Sequence, residues 1–302
     1  MTLVAVTLCT FRRPQVAETL ESIFAQDVPK DISIKIIVAD NDDNPSGKGA
    51  VHAAAEGAPW PIEYIHAPAR NISIARNAAL VAARDADWVA FLDDDEVAAP
   101  DWLQTIISCA EIKGVDGVFG PSVAQYPGEA PGWMREGGYH SNIPALNGGV
   151  VITGHTCNAL LRWRGTPWRD QRFDLSRGQT GGEDTAFFLS IHRLGATYEI
   201  CENAIVREAV APERLSFSWI ARRKFRSGQS FVASAEAGTE RLRLAMSACG
   251  KAIFCGLAAA LTAPVPSRRN FWALRGALHV GVVAGCLNMR QEAQYGLAEN
   301  PD

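Results

Sequence analysis

Four consecutive acidic residues in the first third of the chain could bind a metal ion together with a phosphate-containing ligand. They are Asp93, Asp94, Asp95 and Glu96. Hard cations such as Mg²⁺ are bound by a few carboxylates together with phosphate oxygens of the substrate. Because alternate residues of an extended backbone project the same way, Asp93 and Asp95 could hold one cation and one diphosphate. The structural alternative is an acidic turn before a helix that begins at Pro100, since carboxylates also stabilise helix N-termini.

A second acidic pair, Glu183-Asp184, follows two glycines at the predicted start of another helix. An enzyme that makes a sugar hydroxyl attack an anomeric carbon needs a carboxylate within hydrogen-bond reach of that hydroxyl. Asp184 could be this general base, and one base without a covalent nucleophile would give inversion at the anomeric carbon. The alternative is a structural cap, because both carboxylates would interact favourably with the helix dipole.

Several other site types are excluded because their motifs do not occur in the sequence. The chain has no GxGxxG dinucleotide fingerprint, no GxxxxGK[ST] phosphate loop, no HExxH and no GxSxG. Its six histidines show no spacing typical of metal ligands. His155 could reach a site beside Asn158, but a single histidine of this kind is more often structural, and we interpret it so.

Apolar, β-branched segments predict the strands that position these residues. The predicted strands are 3–9, 32–39, 62–65 and 88–92. They alternate with helices beginning at Pro14, spanning 72–84 with Ile74, Leu80 and Val81 on the apolar face, and beginning at Pro100. This alternation indicates an α/β fold whose mostly parallel sheet is covered on both faces.

Ligands of such sheets bind beyond the carboxyl ends of the strands. Residues 10–13, Asp40 and 93–95 all follow strand ends, so we expect them to converge on one crevice.

The middle of the chain is predicted to add a long loop and further elements. Residues 121–144 are rich in Gly, Pro and aromatic residues and indicate a loop. Residues 150–161 and 198–206 have strand patterns, and a helix is predicted from Gly181 through Arg193.

The C-terminal third differs from the rest in charge and in apolar pattern. Residues 214–275 carry eleven Lys or Arg and two acidic residues, a net charge near +9, whereas the remainder is near −13. A basic helix is predicted at 215–235, followed by uncharged segments 252–267 and 276–289, each shorter than the roughly 20 residues of a spanning helix. We interpret them as helices lying in an anionic membrane interface or as a re-entrant pair, with a helical hairpin packed on the body as the alternative. The acidic body argues against nucleic acid as a partner.

Composition and cysteine content favour a folded, cytoplasmic protein. The chain has 302 residues of which 47% are hydrophobic, enough for a large core. Its seven cysteines form no CxxC pair, which predicts free thiols in a reducing compartment. The apolar N-terminal run precedes its arginines, the reverse of the order in a secretory signal.

Five motifs, in their order and spacing, resemble the family-two glycosyltransferases of GT-A fold over roughly residues 1–210. The motifs are Thr10-Phe11-Arg12-Arg13-Pro14, Ile37-Val38-Ala39-Asp40, Ala75-Arg76-Asn77, Phe91-Leu92-Asp93-Asp94-Asp95 and Gly182-Glu183-Asp184. Within the family, the chain is most similar to bacterial succinoglycan-type exopolysaccharide glucosyltransferases, which share a phrase resembling Glu213-Arg214-Leu215-Ser216. The resemblance implies a catalytic GT-A domain at 1–210, with a nucleotide-sugar half at about 1–118 and an acceptor half at about 119–210. Residues 211–302 are expected to form a basic and apolar helical, membrane-associating appendage.

The resemblance also implies a role for each site residue. Donor-binding residues would be Thr10, Arg12, Arg13, Asp40, Arg76, Asp93 and Asp94. Asp40 would contact the nucleobase, commonly uracil, and Asp93 and Asp95 would hold Mg²⁺ or Mn²⁺. Asp184 would be the catalytic base, while Glu183 would orient the acceptor. Arg222 and Arg223 lie where related enzymes hold phosphate with a basic helix. The QxxRW phrase of processive members is missing, which favours addition of a single sugar, and Asp40-Asn41-Asp42-Asp43 replaces the usual Asp-Asp-Gly-Ser.

The leading hypothesis is an inverting, metal-dependent transferase that adds one hexose, glucose, from a UDP-sugar to a lipid-linked oligosaccharide. It would work in polysaccharide assembly at the cytoplasmic face of the plasma membrane. One alternative is a sugar-nucleotide-forming nucleotidyltransferase, although residues 10–14 contain neither the glycines nor the lysine typical of that class. The other alternative is a non-catalytic nucleotide-sugar-binding scaffold.

Overall fold

The computed structural model describes residues 1–232 and 238–289. Its strands are β1 (Thr2–Thr10), β2 (Ile32–Asp40), β3 (Ile62–His66), β4 (Trp88–Leu92), β5 (Glu96–Ala98), β6 (Gly117–Phe119), β7 (Ser122–Gln125), β8 (Asn158–Arg162), β9 (Tyr198–Ile200) and β10 (Val206–Ala209). Its helices are α1 (Val16–Phe24), α2 (Lys48–Ala55), α3 (Ile72–Ala82), α4 (Trp102–Lys113), α5 (Gly132–Gly137), α6 (Glu183–Arg193), α7 (Phe217–Val232), α8 (Thr239–Leu261) and α9 (Pro266–Cys286).

Seven strands form one mixed, mostly parallel sheet in the order β3-β2-β1-β4-β8-β6-β9. The neighbours β3, β2, β1 and β4 are all parallel, whereas β8 runs antiparallel to both β4 and β6. Thr10 pairs with Asp40 where β1 and β2 end. The predicted parallel sheet is therefore confirmed, and the residues that follow these strands lie at one sheet edge. A second, three-stranded sheet has the order β5-β10-β7.

Both faces of the large sheet are buried, as expected for strands that read as continuous apolar runs. On β1, Val4, Val6 and Leu8 pack in a cluster that includes α1 and α4, while Ala5 belongs to the opposite cluster with α3 and α6. Trp102 and Phe188 are fully buried on the two sides. This double layer holds the strand ends rigidly, which a site built on them requires.

Some boundaries and one helix face differ from the sequence predictions. Helices α1 and α4 begin at Val16 and Trp102, two residues after the prolines predicted to open them. Residues 121–144 contain β7 and α5, residues 198–206 divide between β9 and β10, and the strand predicted at 150–161 begins only at Asn158.

On α3, Leu80 is buried as predicted, but the predicted core residue Val81 is 56% exposed. The correct face also carries Ser73, Ala75, Arg76 and Ala79, since small residues let α3 pack closely on β1 and β2.

The described chain divides into two compact units. The first comprises Met1–Val123 and Asn142–Glu208, and the second comprises Ala124–Ser141 and the described residues from Ala209 onward. Residues 124–141, assigned by sequence to the acceptor half, thus cluster with the C-terminal helices. None of the seven cysteines, all within the described ranges, is in a disulfide.

In the second unit α9 packs against both α7 and α8. The predicted apolar segments are longer than expected, because α8 has 23 residues and α9 has 21. Among the described helices, α8 alone is long and apolar enough to cross a membrane, and only 11% of its most apolar window is buried.

Candidate active site

The ends of β1 and β2 carry a buried carboxylate that organises the following loop. Asp40 is fully buried, and its Oδ2 accepts hydrogen bonds from the Gly47 amide at 2.7 Å and the Tyr64 hydroxyl at 2.7 Å. Its Oδ1 accepts from the Asp42 amide at 3.0 Å. A side chain at Gly47 would collide with Thr10, so a glycine is needed there. Both oxygens of Asp40 thus have partners within the protein, and its contact with a nucleobase stays a prediction.

Arg12 stands beside this loop in an unusual backbone conformation. Its φ of 54° lies in the left-handed region, which is uncommon and costly for a residue with a Cβ atom. Arg12 donates two 3.0 Å hydrogen bonds to the carboxylate of Asp42. These bonds lower the pKa of Asp42. The loop after β1 is thereby tied to the loop after β2.

The acidic segment after β4, residues 93–96, is held by the side chain of Arg13 in the loop after β1. Arg13 Nη1 donates to Asp94 Oδ1 at 3.0 Å and also forms an ion pair with Asp95. Burial raises the pKa of Asp94 to about 7, although Arg13 opposes the shift. The buried Glu96 accepts a hydrogen bond from the Asp93 amide at 3.0 Å, which closes the acidic turn. Asp93 remains the most accessible of these carboxylates, with 43% of its side chain exposed.

Arg76 connects the acidic segment to the second acidic pair. This arginine on α3 is buried, yet it forms an ion pair with Glu183 of α6 and lies 3.8 Å from Asp93. The charges of Glu183 and Asp93 counteract the burial and raise the pKa of Arg76, so the guanidinium stays charged. The Arg76 guanidinium therefore brings together the carboxylates of Asp93 and Glu183, which are ninety residues apart in the sequence.

Asn77, beside Arg76, positions the segment that leads to α6. Its side chain donates to the Phe173 carbonyl at 3.0 Å and accepts from the Phe173 amide at 2.8 Å. Gly181 and Gly182 then turn the chain into α6 with φ values of 92° and 81°, which glycine alone adopts readily. Glu183 and Asp184 consequently occupy the first turn of α6, where the helix dipole favours negative charge.

Asp184 is paired with His155, a histidine for which the sequence alone favours a structural role. His155 Nδ1 lies 2.9 Å from Asp184 Oδ2, and Asp184 Oδ1 accepts from the Thr185 amide at 2.6 Å. Burial by itself would raise the pKa of Asp184, but the charge and hydrogen bond of His155 lower it to about 2. Asp184 is thus a carboxylate at neutral pH. The Thr-Gly-His-Thr sequence gave no signal for this contact, because the two residues are 29 positions apart.

The first unit therefore brings together nearly all the predicted site residues. Links within it join Arg12 to the β2 loop, Arg13 to Asp94 and Asp95, and Arg76 to Asp93 and Glu183. Thr10 is buried at the end of β1. Arg222 and Arg223 belong to the second unit, where Arg223 lies over the Trp219 ring at 5.5 Å.

The chemistry of the acidic segment suits a hard divalent cation that is bound jointly with a diphosphate. In the described residues no three His, Cys, Asp or Glu side chains form a complete metal cluster. Mg²⁺ is commonly bound by one or two carboxylates plus substrate phosphates, and Asp93 and Asp95 supply such a partial set. In the first turn of α6, Asp184 is a carboxylate that could accept a proton.

Solved structures share the fold of this chain. A mannosyltransferase, PcManGT from Pyrobaculum calidifontis in complex with GDP-Man and Mn²⁺, has a TM-score of 0.64 at 20% identity, covering 95% of this chain and 88% of its own. S. aureus TarS 1-349 in complex with UDP has a TM-score of 0.54 at 13% identity, with 96% and 92% covered. At such identities the likeness concerns the fold, and it confirms the predicted GT-A-like architecture.

Sequence comparison gives a closer relationship. The succinoglycan biosynthesis protein ExoM of Rhizobium meliloti (strain 1021) is 43% identical over 295 residues, which cover 97% of this chain and 95% of that protein. The family model described as glycosyl transferase family 2 matches residues 5–164, more than half of the chain. The sheet, the acidic segments and these matches agree, and the chain belongs to glycosyl transferase family 2.

Proposed function

We propose that the protein transfers one hexose, glucose, from a UDP-sugar to a lipid-linked oligosaccharide, with inversion and with a divalent metal. The observation that carries the proposal is the bridge formed by Arg76 between Asp93 and Glu183, because it joins donor-side and acceptor-side carboxylates at one site. The similarity to a succinoglycan biosynthesis protein supports a role in exopolysaccharide assembly. Among the described residues, no contact in the site favours nucleotidyl transfer or a non-catalytic scaffold.

The donor would bind across the ends of β1, β2 and β4. Its diphosphate would lie against Asp93 and Asp95 with Mg²⁺ or Mn²⁺, and the cation would neutralise the charge that develops on the departing diphosphate. Arg13 and Arg76 already hold the acidic segment in place and stay charged at all relevant pH values. The Mn²⁺ and nucleotide ligands of the two structural neighbours agree with this assignment.

The nucleoside would contact the loops organised by Arg12 and Asp40. Thr10 is buried at the end of β1, and Arg13 of the loop after β1 donates a hydrogen bond to Asp94 of the acidic segment. The UDP base is supported by the family resemblance and by a structural neighbour that contains UDP. A residue such as Arg12 that adopts a strained backbone is typical of a position that must face a ligand.

Asp184 would act as the general base and Glu183 would help orient the acceptor. The acceptor O–H bond breaks and its proton passes to Asp184, while the acceptor oxygen bonds to the anomeric carbon. At the same carbon, the bond to the diphosphate oxygen breaks and the diphosphate leaves with the electron pair. Attack from the face opposite the leaving group inverts the configuration.

The acceptor lipid and the protein would meet at an anionic membrane surface on its cytoplasmic side. The exposed residues Phe254, Leu257 and Leu261 of α8 continue into Val265, and exposed Arg268 and Arg269 follow at the start of α9. Apolar side chains next to cations are typical of peripheral membrane helices. In this proposal residues 1–210 form the catalytic domain, with halves at about 1–118 and 119–210, and residues 211–302 form the appendage.

A donor screen tests the proposal directly. The full chain is incubated with UDP-glucose, UDP-galactose, UDP-GlcNAc or GDP-mannose, and release of nucleoside diphosphate is measured with Mn²⁺ or with excess chelator. We expect metal-dependent release from UDP-glucose, and a roughly 10²-fold loss of rate in Asp184→Asn. The exposed Asp170→Asn, with the same change of side chain, is the control. Full activity of Asp184→Asn would remove Asp184 as the base, and preference for GDP-mannose would overturn the donor.

A further inference from the structure

His155 occupies a position that the surrounding structure fixes on both sides. Thr153 Oγ1 donates to the Thr185 carbonyl of α6 at 2.8 Å, which ties the preceding residues to the same helix turn as Asp184. Thr156 is buried with 3% exposure. A Cβ atom at Gly154 would lie 2.2 Å from the ring of Phe119, so the backbone approaches that ring too closely for any other residue. The backbone of His155 is therefore held in place although 47% of its side chain is exposed.

The contact between His155 and Asp184 sets the orientation of the carboxylate. Oδ1 of Asp184 accepts from the amide of Thr185, and Oδ2 is 2.9 Å from Nδ1 of His155. With both oxygens held, the carboxyl group cannot rotate about its Cβ–Cγ bond without losing a hydrogen bond. Bases in active sites are commonly oriented by such a third group, which reduces the conformational freedom lost when the substrate arrives.

We propose that His155 is a positioning residue, which uses its Nδ1–H donor to hold Asp184 ready to accept the proton of the acceptor hydroxyl. The inference rests on the proposed function, because it assumes that Asp184 is the base. His155 itself does not take the proton. It keeps one lone pair of Asp184 aimed at the acceptor while the other groups hold the carboxylate still.

The pH dependence distinguishes this role from a merely structural one. The charged and titratable groups that act on Asp184 or respond to it are His155, Arg76, Glu183, Asp93 and Cys157. Of these, His155 and Arg76 favour the ionised form of Asp184. Loss of His155 leaves burial less opposed, so the pKa of Asp184 rises and the base becomes protonated at a higher pH.

Two amide substitutions test which ring nitrogen matters. The side-chain nitrogen of His155→Asn occupies the place of Nδ1, whereas that of His155→Gln occupies the place of Nε2. We expect His155→Asn to keep the rate of Mn²⁺-dependent UDP-glucose hydrolysis within about threefold of the wild type. His155→Gln and His155→Ala should lower kcat about tenfold with little change in the KM for UDP-glucose. The control is His192→Gln, which changes a histidine at the far end of α6 and should leave kcat unchanged.

Hydrolysis rates are then measured between pH 2 and 8, with circular dichroism at each pH to establish that each variant is folded. The acidic limb of kcat in His155→Ala should move upward by about one pH unit relative to the wild type. Wild-type kcat and an unchanged acidic limb in His155→Ala would overturn the proposal, as would equal losses in the Asn and Gln variants. If Asp184→Asn is inactive in that case, only the positioning role has failed. Full activity of Asp184→Asn would instead remove the proposed base itself.

Discussion

Arg76 and Glu183 form a buried ion pair between α3 and α6, with 7% and 3% of their side chains exposed. Burial raises the pKa of Glu183, and Arg76 opposes this shift. Two charges removed from water stabilise a fold only when each has its partner, and removing one partner costs about 3–5 kcal/mol. The pair is also next to Asp93, so its geometry and that of the proposed donor site depend on each other.

Arg76→Met is expected to lower the free energy of unfolding by about 3 kcal/mol, because Glu183 remains buried without a cation. Urea denaturation of the full chain measures the loss. The double variant Arg76→Met/Glu183→Gln should recover part of it, since the uncompensated charge is removed. Arg84→Met, at an exposed arginine just beyond α3, is the matched control and should change stability by less than about 0.5 kcal/mol. A double variant less stable than Arg76→Met would contradict the account.

Asp95→Asn is expected to weaken metal-dependent binding of UDP more than metal-independent binding. The substitution removes a negative oxygen from the proposed cation site while Arg13 still faces Asp94. Titration of UDP by calorimetry, with Mn²⁺ and with excess chelator, should show that the gain in affinity from Mn²⁺ falls at least tenfold. Asp101→Asn alters an exposed aspartate six residues further along and should keep the full gain. Equal gains in both variants would exclude Asp95 as a ligand.

The lowered pKa of Asp184 predicts a specific pH dependence of stability. A carboxyl group with a pKa of about 2 in the folded chain and an ordinary value of 3.8 stabilises the fold above pH 4. This contribution, roughly 2 kcal/mol, is lost as the pH falls towards 2. The stability difference between the wild type and Asp184→Asn, from urea denaturation, should therefore shrink between pH 5 and pH 2.5. A difference that stays constant over this range would argue against the His155 contact.

The sequence was sufficient to predict the strands and the crevice, because both depend on features of short stretches of sequence. Buried parallel strands are short apolar runs, and polar residues such as Asp40 and Asp93 mark where each run ends. Because parallel strands end at a common edge, convergence of these residues follows from topology alone. The start of α6 could also be predicted, since the Gly-Gly pair and the two carboxylates after it both indicate a helix N-terminus at Glu183.

The contacts that complete the site could not be predicted because both partners must be known. Arg76 looks like a surface residue of an amphipathic helix, and it is buried only because Glu183, 107 residues later, neutralises it. Val81 has the apolar character of a core residue, yet the close packing of Ala75 and Ala79 turns it outward. His155 has no ligand-like spacing, and its significance becomes visible only when α6 lies beside it.

The exposed apolar surface of α8 predicts that this helix contributes to membrane binding. Leu261 is 84% exposed and next to the basic start of α9, whereas Ile112, 82% exposed at the end of α4, lies in the first unit. Leu261→Ser should weaken binding to vesicles of phosphatidylglycerol and phosphatidylcholine about tenfold, because it removes most of the transfer free energy of one leucine.

Ile112→Ser makes a comparable change on the other unit and should bind these vesicles as the wild type does. The double variant Arg268→Glu/Arg269→Glu should also weaken vesicle binding. Its effect should be larger at low salt than at high salt, because salt screens the attraction between arginine and anionic headgroups. Sedimentation with vesicles, repeated with pure phosphatidylcholine, measures each variant. If Leu261→Ser and Ile112→Ser sediment alike, α8 is not the surface that meets the lipid, and its apolar face must have another partner.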